Sequence, residues 1–459
     1  MLKTVTPIDN SILVERNFAT DSEIETVLQN AYDARKEWKE TSLRERKEII
    51  NNFVKSFLLN DEEIIENLCK QIGRPIIQCP GEMRGFEERA NYMVDNSDRA
   101  LEDLVSRKDR EFDNYIKKEP LGTIFVIAPW NYPFNTSVNS IVPSLLSGNT
   151  VILKHSSQTP LCAEQLFDAA TKASLPKNIF QFLHLDHSST SKVISDHRIN
   201  HVLFTGSVSG GKEIKKSIGT RFIGAGLELG GKDPAYVRSD CNLEHAIENL
   251  VDGSYFNSGQ SCCGIERIYV DEKIYNKFVD GFKSITEKYI LGNPLEENTN
   301  LGPVVRMNAA KYIRAQVSQA LNKGAKNIID SNKFKADDGT NCYVSPSALI
   351  QVDHSMEFMK EETFGPTVGI MKVKNEEDAI NLMNDSAYGL TASIWTSDKE
   401  FAQSMGSKIE TGTFFMNRCD YLDPGLAWTG VKDTGIGVTL SVLGFDHLTR
   451  AKSYHIRTL

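Results

Sequence analysis

GTIFVIAPW, at residues 122–130, is the first of four apolar runs, and NTVILKHS (149–156), NIFQFLHL (178–185) and NHVLFTGS (200–207) follow it. A segment with helical character follows each run. The runs are apolar throughout instead of alternating in polarity, which is typical of strands that helices cover on both faces. Such alternation of strands and helices predicts an α/β fold with a doubly wound parallel sheet.

Three residues mark the place where this sheet should bind a ligand. Trp130, Lys154 and Ser207 fall at or just after the carboxyl ends of three of the predicted strands. Ligands of open parallel sheets bind in the crevice beyond those ends. We therefore expect the three side chains to line one ligand site.

A second α/β region follows the first. It begins near Pro234 with the apolar segment AYV (235–237), continues through RIYV (267–270) and ends near Thr413, with helical segments between the strands. The repeated change from strand-like to helix-like patterns predicts a second α/β domain.

Two segments far apart in the chain alternate in polarity, as edge strands do. They are DNYIKKEP (113–120) and SYHIRTL (453–459). We expect them to pair as a small β ribbon formed by residues 107–122 and 440–459. A projecting ribbon favours pairing with a neighbouring subunit, so the sequence predicts a homodimer or a dimer of dimers.

Composition excludes several classes of protein. The 459 residues are 40% hydrophobic and 25% charged, and 52 Lys and Arg against 61 Asp and Glu give a net charge of −9. No dense basic tract is present, so nucleic acid is not an expected partner. The N-terminal segment lacks the features of a signal peptide, and no apolar run approaches the length of a membrane span. We expect a cytoplasmic protein with no membrane contact.

Neither the cysteines nor two glycine patterns indicate a metal or phosphate-loop site. The eight cysteines are spread over the chain without a C-x-x-C motif, which predicts no metal site and no disulfide framework. GSVSGGKE (206–213) resembles a phosphate-binding loop but has Glu213 where that loop needs Ser or Thr. GAGLELG (224–230) is one residue too long for the dinucleotide glycine motif and does not follow the first strand.

Two longer segments carry a specific resemblance. LELGGKDP (227–234) and FNSGQSCCGIER (256–267) resemble the two signature segments of the aldehyde dehydrogenase superfamily. Five further segments match in the family's order: APWNYP (128–133), NTVILKHSSQTP (149–160), FTGS (204–207), EETFGP (361–366) and YGLTASIWT (388–396). The resemblance implies a dinucleotide-binding domain at 1–106 and 123–230, a catalytic domain at 231–415 and an oligomerisation ribbon.

The resemblance also implies a mechanism. Aldehyde oxidation needs a nucleophile that converts the carbonyl into a tetrahedral adduct, and the family's nucleophile matches Cys262. A base must then activate water to hydrolyse the thioester, and the family's base matches Glu228. The side chain of Asn131 and the backbone N–H of Cys262 match the oxyanion donors. Relatives that transfer the acyl group to coenzyme A typically lack the carboxylate, so Glu228 favours hydrolysis.

For the cofactor, the resemblance places NAD or NADP along one row of residues. The matching positions are Trp130, Lys154, Ser157, Gly206, Ser207, Leu229, Glu362 and Phe364. Relatives that prefer NAD commonly have glutamate at the position of Ser157, where a carboxylate repels a 2′-phosphate. With Ser157 there and Lys154 nearby, we expect NADP to be accepted and preferred, although serine does not forbid NAD.

Substrate identity stays open between two readings of a small polar aldehyde. Phe256 stands where semialdehyde-specific relatives often have arginine, but Arg418 could bind a carboxylate at the entrance. Alternatively, acidic and aromatic residues of the same loop, Asp420, Tyr421, Asp423 and Trp428, could bind an amino or quaternary ammonium aldehyde. Tyr132 is a further expected substrate contact. Thr136 and Asn139 predict a polar channel, which argues against long fatty aldehydes.

Two functions of other classes remain as alternatives. A thiol enzyme without redox function would keep Cys262 but would not need Lys154, Ser207 or Glu362. A binding protein on this fold would be expected to have lost Cys262, Glu228 or Asn131, and all three residues are present.

Overall fold

The four apolar runs are neighbouring strands of one sheet in the computed structural model, which describes residues 1–458. In chain order the strands are β1 (Leu2–Val5), β2 (Ile12–Arg16), β3 (Leu104–Lys108), β4 (Phe112–Pro120), β5 (Thr123–Ile127), β6 (Thr150–Lys154), β7 (Phe180–Phe182), β8 (Ile199–Thr205), β9 (Gly224–Glu228), β10 (Asp233–Val237), β11 (Ile265–Asp271), β12 (Lys326–Asn327), β13 (Ser347–Ile350), β14 (Thr367–Val373), β15 (Tyr388–Gly389), β16 (Thr391–Trp395), β17 (Thr413–Met416), β18 (Val431–Lys432), β19 (Gly435–Ile436) and β20 (Thr449–Arg457).

Helices alternate with these strands. They are α1 (Asp21–Glu40), α2 (Leu43–Leu58), α3 (Asp61–Ile72), α4 (Pro80–Ala100), α5 (Pro133–Leu146), α6 (Pro160–Lys172), α7 (His187–Ser195), α8 (Val208–Ile218), α9 (Leu243–Tyr255), α10 (Tyr275–Thr286), α11 (Met307–Asn322), α12 (Glu376–Asn384) and α13 (Lys399–Gly406). Short 3-10 turns occupy Ile76–Gln78, Phe256–Gly259, Ser331–Lys333, Glu357–Met359 and Val442–Leu448. No helix of residues 1–458 is both long and apolar enough to span a bilayer.

The first sheet has six strands in the order β19-β9-β8-β5-β6-β7. All neighbours are parallel except β19, which pairs antiparallel with β9. Every residue of β5 is buried because helices cover both faces of the sheet. This arrangement confirms the predicted parallel α/β sheet.

The second sheet has seven strands in the order β12-β13-β14-β11-β10-β16-β17. Its strands are parallel apart from β12, and all seven residues of β11 are buried. The predicted second α/β region is therefore present, and its last strand, Thr413–Met416, lies where the sequence predicts that the region ends.

The two alternating segments do pair as a ribbon. Strand β20 runs antiparallel to β4 from Thr449 beside Pro120 to Arg457 beside Phe112, and the rings of Tyr115 and Tyr454 stack with centroids 4.7 Å apart. The structure adds β3 on the other side of β4, so the ribbon has three strands. The sequence pattern did not single out β3, whose five residues are all exposed.

Helix α5 lies between the first sheet and α4 and carries one wall of the ligand cavity. Nearly all of its residues are buried, including polar ones, because α4, α2 and the sheet surround it. Pro133 begins the helix, where a missing N–H costs nothing. This burial fixes the loop that precedes α5, which contains Asn131.

Candidate active site

One cavity of about 810 Å3 collects nearly all the residues that the sequence singled out. Its lining includes Trp130, Asn131, Tyr132, Lys154, Ser157, Gly206, Ser207, Glu228, Leu229, Phe256, Cys262, Glu362, Phe364 and Trp428. The cavity begins at the carboxyl ends of β5, β6 and β8, as expected for a parallel sheet. Arg418 is not part of the lining. It is exposed, and its guanidinium lies 3.4 Å from the centre of the Tyr421 ring.

Cys262 lies on a loop with an unusual backbone. The preceding 3-10 turn contains Asn257 and Ser258 with φ of 52° and 56°, a region that non-glycine residues seldom adopt. The side chain of Asn257 compensates by donating to the main-chain oxygens of Gln260 at 3.2 Å and Asn131 at 3.3 Å. Such backbone strain is typical of functional loops, and here it presents a partly exposed cysteine to the cavity.

Asn131 is tied directly to the cysteine loop. Its Nδ2 donates to the main-chain oxygen of Gln260 at 3.2 Å, and the residue is almost fully buried. The second amide hydrogen remains free to donate, since a side-chain amide carries two. The geometry places an amide donor beside the loop of Cys262.

A buried ion pair that the sequence did not reveal holds the Asn131 loop. Arg74 donates to Glu82 at 2.6 Å, to Asn257 at 3.1 Å and to the main-chain oxygen of Asn131. The other oxygen of Glu82 accepts from the N–H groups of Phe134 and Asn135 at 2.9 Å, in the first turn of α5. A carboxylate is favoured at a helix N-terminus, which supports the position of Glu82. The network of Arg74 and Glu82 therefore holds the Asn131 loop in place.

Glu228, at the end of β9, is a partly buried carboxylate held by two hydroxyl groups. Thr205 donates to Oε2 at 2.9 Å, and Thr439 donates to Oε1. Burial raises the pKa of Glu228, while the hydrogen bonds from Thr439 and Thr205 oppose the rise. A carboxyl group with a raised pKa is suited to general base catalysis near neutral pH.

Asp420 packs behind the cysteine loop. Its Oδ1 accepts from Ser261 Oγ at 2.7 Å and from Cys263 Sγ at 3.1 Å, and its backbone φ is 46°. Burial raises the pKa of Asp420, and the bonds from Cys263 and Ser261 oppose that rise. The neighbouring Cys262 thiol, together with burial, raises the pKa of Cys263, which is only 2% exposed. These contacts distinguish the buried Cys263 from the accessible Cys262.

One end of the cavity has the features of a dinucleotide site. Ser207 caps α8 through a hydrogen bond from Gly210 N at 3.2 Å and lines the cavity, so the N-terminus of this helix lies at the cavity wall. A side chain at Gly206 would approach the Phe204 ring within 2.6 Å, so only glycine keeps this turn open. Lys154 is partly buried and Ser157 is exposed beside it. Burial lowers the pKa of Lys154.

At the other end of the cofactor region, Glu362 is fixed beside a glycine. Its Oε1 accepts from Gly231 N at 2.9 Å, and a side chain at Gly230 would lie 2.7 Å from the carboxylate. Burial and the nearby Glu266 raise the pKa of Glu362 to about 7. The ring of Phe364 contacts that of Trp130 edge to face, with the centroids 5.6 Å apart. The two aromatic rings bound a slot that could hold a flat ring of a ligand.

The structure places most of the residues expected to contact substrate in the cavity and leaves Arg418 outside its lining. Tyr132, Phe256 and Trp428 line the cavity, and Trp428 is fixed by paired backbone hydrogen bonds with Thr439. Thr136 and Asn139 line it as well, which supports the predicted polar channel. Arg89 on α4 also lines the cavity and was missed, because nothing in the sequence distinguishes an inward arginine from those on the solvent face of a helix.

Comparison with known proteins matches nearly the whole chain. Residues 1–454 fit the sequence profile described as "Aldehyde dehydrogenase family". The succinate semialdehyde dehydrogenase [NAD(P)+] Sad of Escherichia coli is 31% identical, covering 96% of this chain and 95% of its own, and the 3-sulfolactaldehyde dehydrogenase of Priestia aryabhattai is 31% identical over 92% and 88%. A succinic semialdehyde dehydrogenase from Streptococcus pyogenes, solved with NADP+, superposes with a TM-score of 0.95 at 28% identity over 100% of both chains.

Proposed function

The chain belongs to the aldehyde dehydrogenase family and oxidises an aldehyde with NAD(P), and on that premise we propose that Cys262, Glu228 and Asn131 carry out the chemistry. The observation that supports this assignment is their convergence on one cavity that continues into the dinucleotide site.

The first step is addition of the Cys262 sulfur, as its thiolate, to the aldehyde carbon. A carbon–sulfur bond forms, the carbonyl π bond breaks, and the oxygen becomes an oxyanion. The side-chain amide of Asn131 and the backbone N–H of Cys262 stabilise that oxyanion. Each such donor lowers the barrier by roughly 3 kcal/mol. The bond from Asn131 to Gln260 and the Arg74 network hold the amide in place.

The second step converts the adduct into a thioester. A bound NAD(P) would supply the acceptor for the hydride of the former carbonyl carbon, and loss of that hydride would oxidise the carbon to the level of a thioester. Trp130, Phe364 and Glu362 border the part of the cavity that would hold the nicotinamide end.

The third step is hydrolysis. Glu228 takes a proton from water, the resulting hydroxide attacks the thioester carbon, and the carbon–sulfur bond breaks to return the thiolate of Cys262. The carboxylate leaves as product. Glu228 is suited to this task because its raised pKa makes it a stronger base than an exposed carboxylate.

NADP is the preferred cofactor in this proposal. Ser157 carries no charge, so it does not repel a 2′-phosphate, and Lys154 supplies a cation beside it. Thr4 of the N-terminal hairpin donates to the main-chain oxygen of Ser157 at 2.7 Å, which fixes the residue's backbone. The NADP+ complex of the Streptococcus pyogenes relative supports the assignment.

The substrate in this proposal is a small polar aldehyde. Thr136 and Asn139 make the cavity polar, and the relatives named for succinate semialdehyde and 3-sulfolactaldehyde support a short substrate. A role for Arg418 at the entrance stays a prediction, as does the alternative that the acidic loop binds an aminoaldehyde. Assembly of a homodimer or a dimer of dimers through the ribbon and a cytoplasmic location are likewise proposed from the sequence.

The test is the rise in absorbance of the reduced nicotinamide with NADP and then NAD. Semialdehydes, aminoaldehydes and simple aliphatic and aromatic aldehydes form the panel. We expect faster oxidation with NADP and with polar aldehydes of short chain length. Oxidation of none of the aldehydes would contradict the proposal, and a preference for NAD would contradict the role of Ser157.

A further inference from the structure

Arg89, on α4, is a buried cation without a carboxylate partner. It is 9% exposed, and the one hydrogen bond of its guanidinium runs from Nη1 to the main-chain oxygen of Asn135 at 3.0 Å. Within residues 1–458, no carboxylate oxygen lies within 4.0 Å of its nitrogen atoms. The remaining N–H groups of the fork are without protein acceptors, and the side chain lines the cavity.

The other buried arginines of residues 1–458, Arg74, Arg198 and Arg267, each have several acceptors within the protein. Arg74 has Glu82 as its counter-ion, and Arg267 donates to main-chain oxygens that include those of Lys232 and Met383. A guanidinium presents five N–H donors and stays charged, so burying one with a single acceptor is costly. Arg89 therefore differs from Arg74 and Arg267 in a way that points to an acceptor outside the chain.

Two polar side chains around Arg89 also lack hydrogen-bond partners. Asn135 and Asn139, one turn apart on α5, line the same cavity, and their side-chain oxygens are buried without a hydrogen-bond partner. An amide can turn either its oxygen or its nitrogen to a ligand. Gly85 leaves the space beside Asn135 open, since a side chain there would come within 2.7 Å of the amide.

Most acidic groups near this site are, in contrast, already hydrogen-bonded, and the exception is Asp252, an exposed residue that also lines the cavity. Glu82 pairs with Arg74, Glu228 accepts from Thr205 and Thr439, and Asp420 accepts from Ser261 and Cys263. Glu88, at the exposed rim, accepts from the Tyr421 hydroxyl at 3.3 Å. At these hydrogen-bonded carboxylates a cationic group on the substrate would have to displace the donors, whereas an anionic group would satisfy Arg89.

We propose that Arg89 binds an oxyanion, a carboxylate or a sulfonate, carried by the aldehyde substrate, with the Asn135 and Asn139 amides beside it. This inference rests on the proposed function, because it assumes that the aldehyde carbon reaches Cys262. Arg89 takes the place of the arginine that semialdehyde-specific relatives often have at the position of Phe256. The residue that binds the anion therefore lies on α4 instead of on the cysteine loop.

The test compares charged and neutral aldehydes of equal size in the wild type, Arg89→Gln and Arg89→Lys. The pairs are 4-oxobutanoate against 4-oxobutanamide, and 3-oxopropanesulfonate against its sulfonamide. Loss of a charge-assisted hydrogen bond predicts about a 10- to 100-fold fall in kcat/KM for the anions in Arg89→Gln, mostly through KM. Turnover of the amides should change less than about 3-fold, and lysine should restore part of the loss.

The matched control is Arg84→Gln, which removes an exposed arginine from the same helix at the rim of the same cavity. It should leave the charged-to-neutral ratio within about 3-fold of wild type. An equal loss in Arg84→Gln, an unchanged ratio in Arg89→Gln, or a wild-type preference for amides or aminoaldehydes would overturn the inference. The carboxylate and sulfonate pairs separate the two kinds of oxyanion.

A second measurement does not depend on the folding of a variant. Succinate, which cannot be oxidised, should compete with 4-oxobutanamide in the wild-type enzyme, and succinamide should compete at least about 10-fold more weakly. Equal inhibition by both would overturn the anion site while leaving aldehyde oxidation intact. Failure to oxidise any aldehyde would instead contradict the proposed function.

Discussion

Thr439 donates a hydrogen bond to Glu228, and this contact joins the C-terminal part of the chain to the proposed base. The bond lowers the pKa of Glu228 against the raising effect of burial. Thr439→Val should therefore raise that pKa further, and the acid limb of the pH profile of kcat should move to higher pH. Thr205→Val is a matched variant, because the Thr205 hydroxyl bonds the other carboxylate oxygen. Loss of that hydroxyl should shift the acid limb in the same direction. A limb that moves to lower pH in either variant would contradict the assignment.

Glu228→Gln should separate acylation from hydrolysis. The amide cannot accept the proton of water, so the thioester accumulates after one hydride transfer. We expect a burst of reduced cofactor equal to the enzyme concentration, followed by turnover at least about 100-fold slower than in the wild type. Rapid-mixing absorbance measures both phases, and unchanged steady-state turnover would remove Glu228 from the role of base.

Cys262→Ala should abolish aldehyde oxidation while cofactor binding, followed by quenching of tryptophan fluorescence, stays intact. Cys263→Ala is the control at the adjacent position. Because Cys263 is buried and Ser261 also bonds Asp420, we expect its loss to reduce kcat/KM by less than about 10-fold. If the two variants lost activity equally, neither cysteine could be identified as the nucleophile.

Ser157→Glu should change the cofactor preference. Two unit charges 4 Å apart repel by about 4 kcal/mol at an effective dielectric of 20, and solvent at this exposed position reduces the effect. We expect the KM for NADP to rise about 10- to 100-fold while the KM for NAD falls. Ser157→Ala, which removes the hydroxyl without adding charge, should change the NADP to NAD ratio far less.

Glu362 makes the free enzyme less stable as pH rises. Its pKa is about 7 in the folded protein against an ordinary value of 4.5, so the folded state binds the extra proton between these values. The stability that the protonated form contributes is complete below 4.5 and is lost as pH rises through 7. The shift corresponds to about 3 kcal/mol.

Glu362→Gln should remove this dependence. Thermal unfolding without cofactor should show a wild-type Tm that falls, relative to that of the variant, between pH 5 and pH 8. Other buried carboxyl groups titrate in both proteins, so their contributions cancel in the difference. A difference in Tm that is constant over this pH range would show that Glu362 is charged throughout.

The ribbon predicts an assembly surface that includes β3. Leu104 and Val105 are 58% and 64% exposed on this edge strand. Replacing both with glutamate should weaken subunit association by at least about 10-fold, since each exposed aliphatic side chain contributes about 1.5 to 3 kcal/mol when it is buried. Light scattering after size exclusion measures the change. Leu59→Glu, at an 82% exposed site outside the ribbon, should have no effect.

The sequence predicted those parts of the molecule that depend on local pattern. Strand β5 was recognisable because a strand buried on both faces must be apolar at every position. Cys262, Glu228 and Asn131 were recognisable from the segments around them, and the structure brings all three to the cavity.

Contacts between residues of different structural elements could not be predicted in this way. Arg74 and Glu82 lie on different elements, and each looks like an ordinary surface charge until the fold buries the pair. Arg89 is likewise one of several charged residues in a row on α4, and only its place against α5 shows that it points inward. Strand β3 was missed because an exposed edge strand carries no pattern of burial.

The pairing of β19 with β9 makes the surroundings of Glu228 depend on a segment that is synthesised late. Gly435 lies beside Glu228, 207 positions later in the chain (435 minus 228), and a side chain at Gly435 would lie 1.9 Å from the main-chain oxygen of Leu227. When the second sheet has been synthesised, Cys262, Glu228 and Thr205 have already been made, but β19 and Thr439 have not. Until residue 439 has been made, the carboxylate of Glu228 therefore has only one of the two hydroxyl groups that hold it in the folded protein.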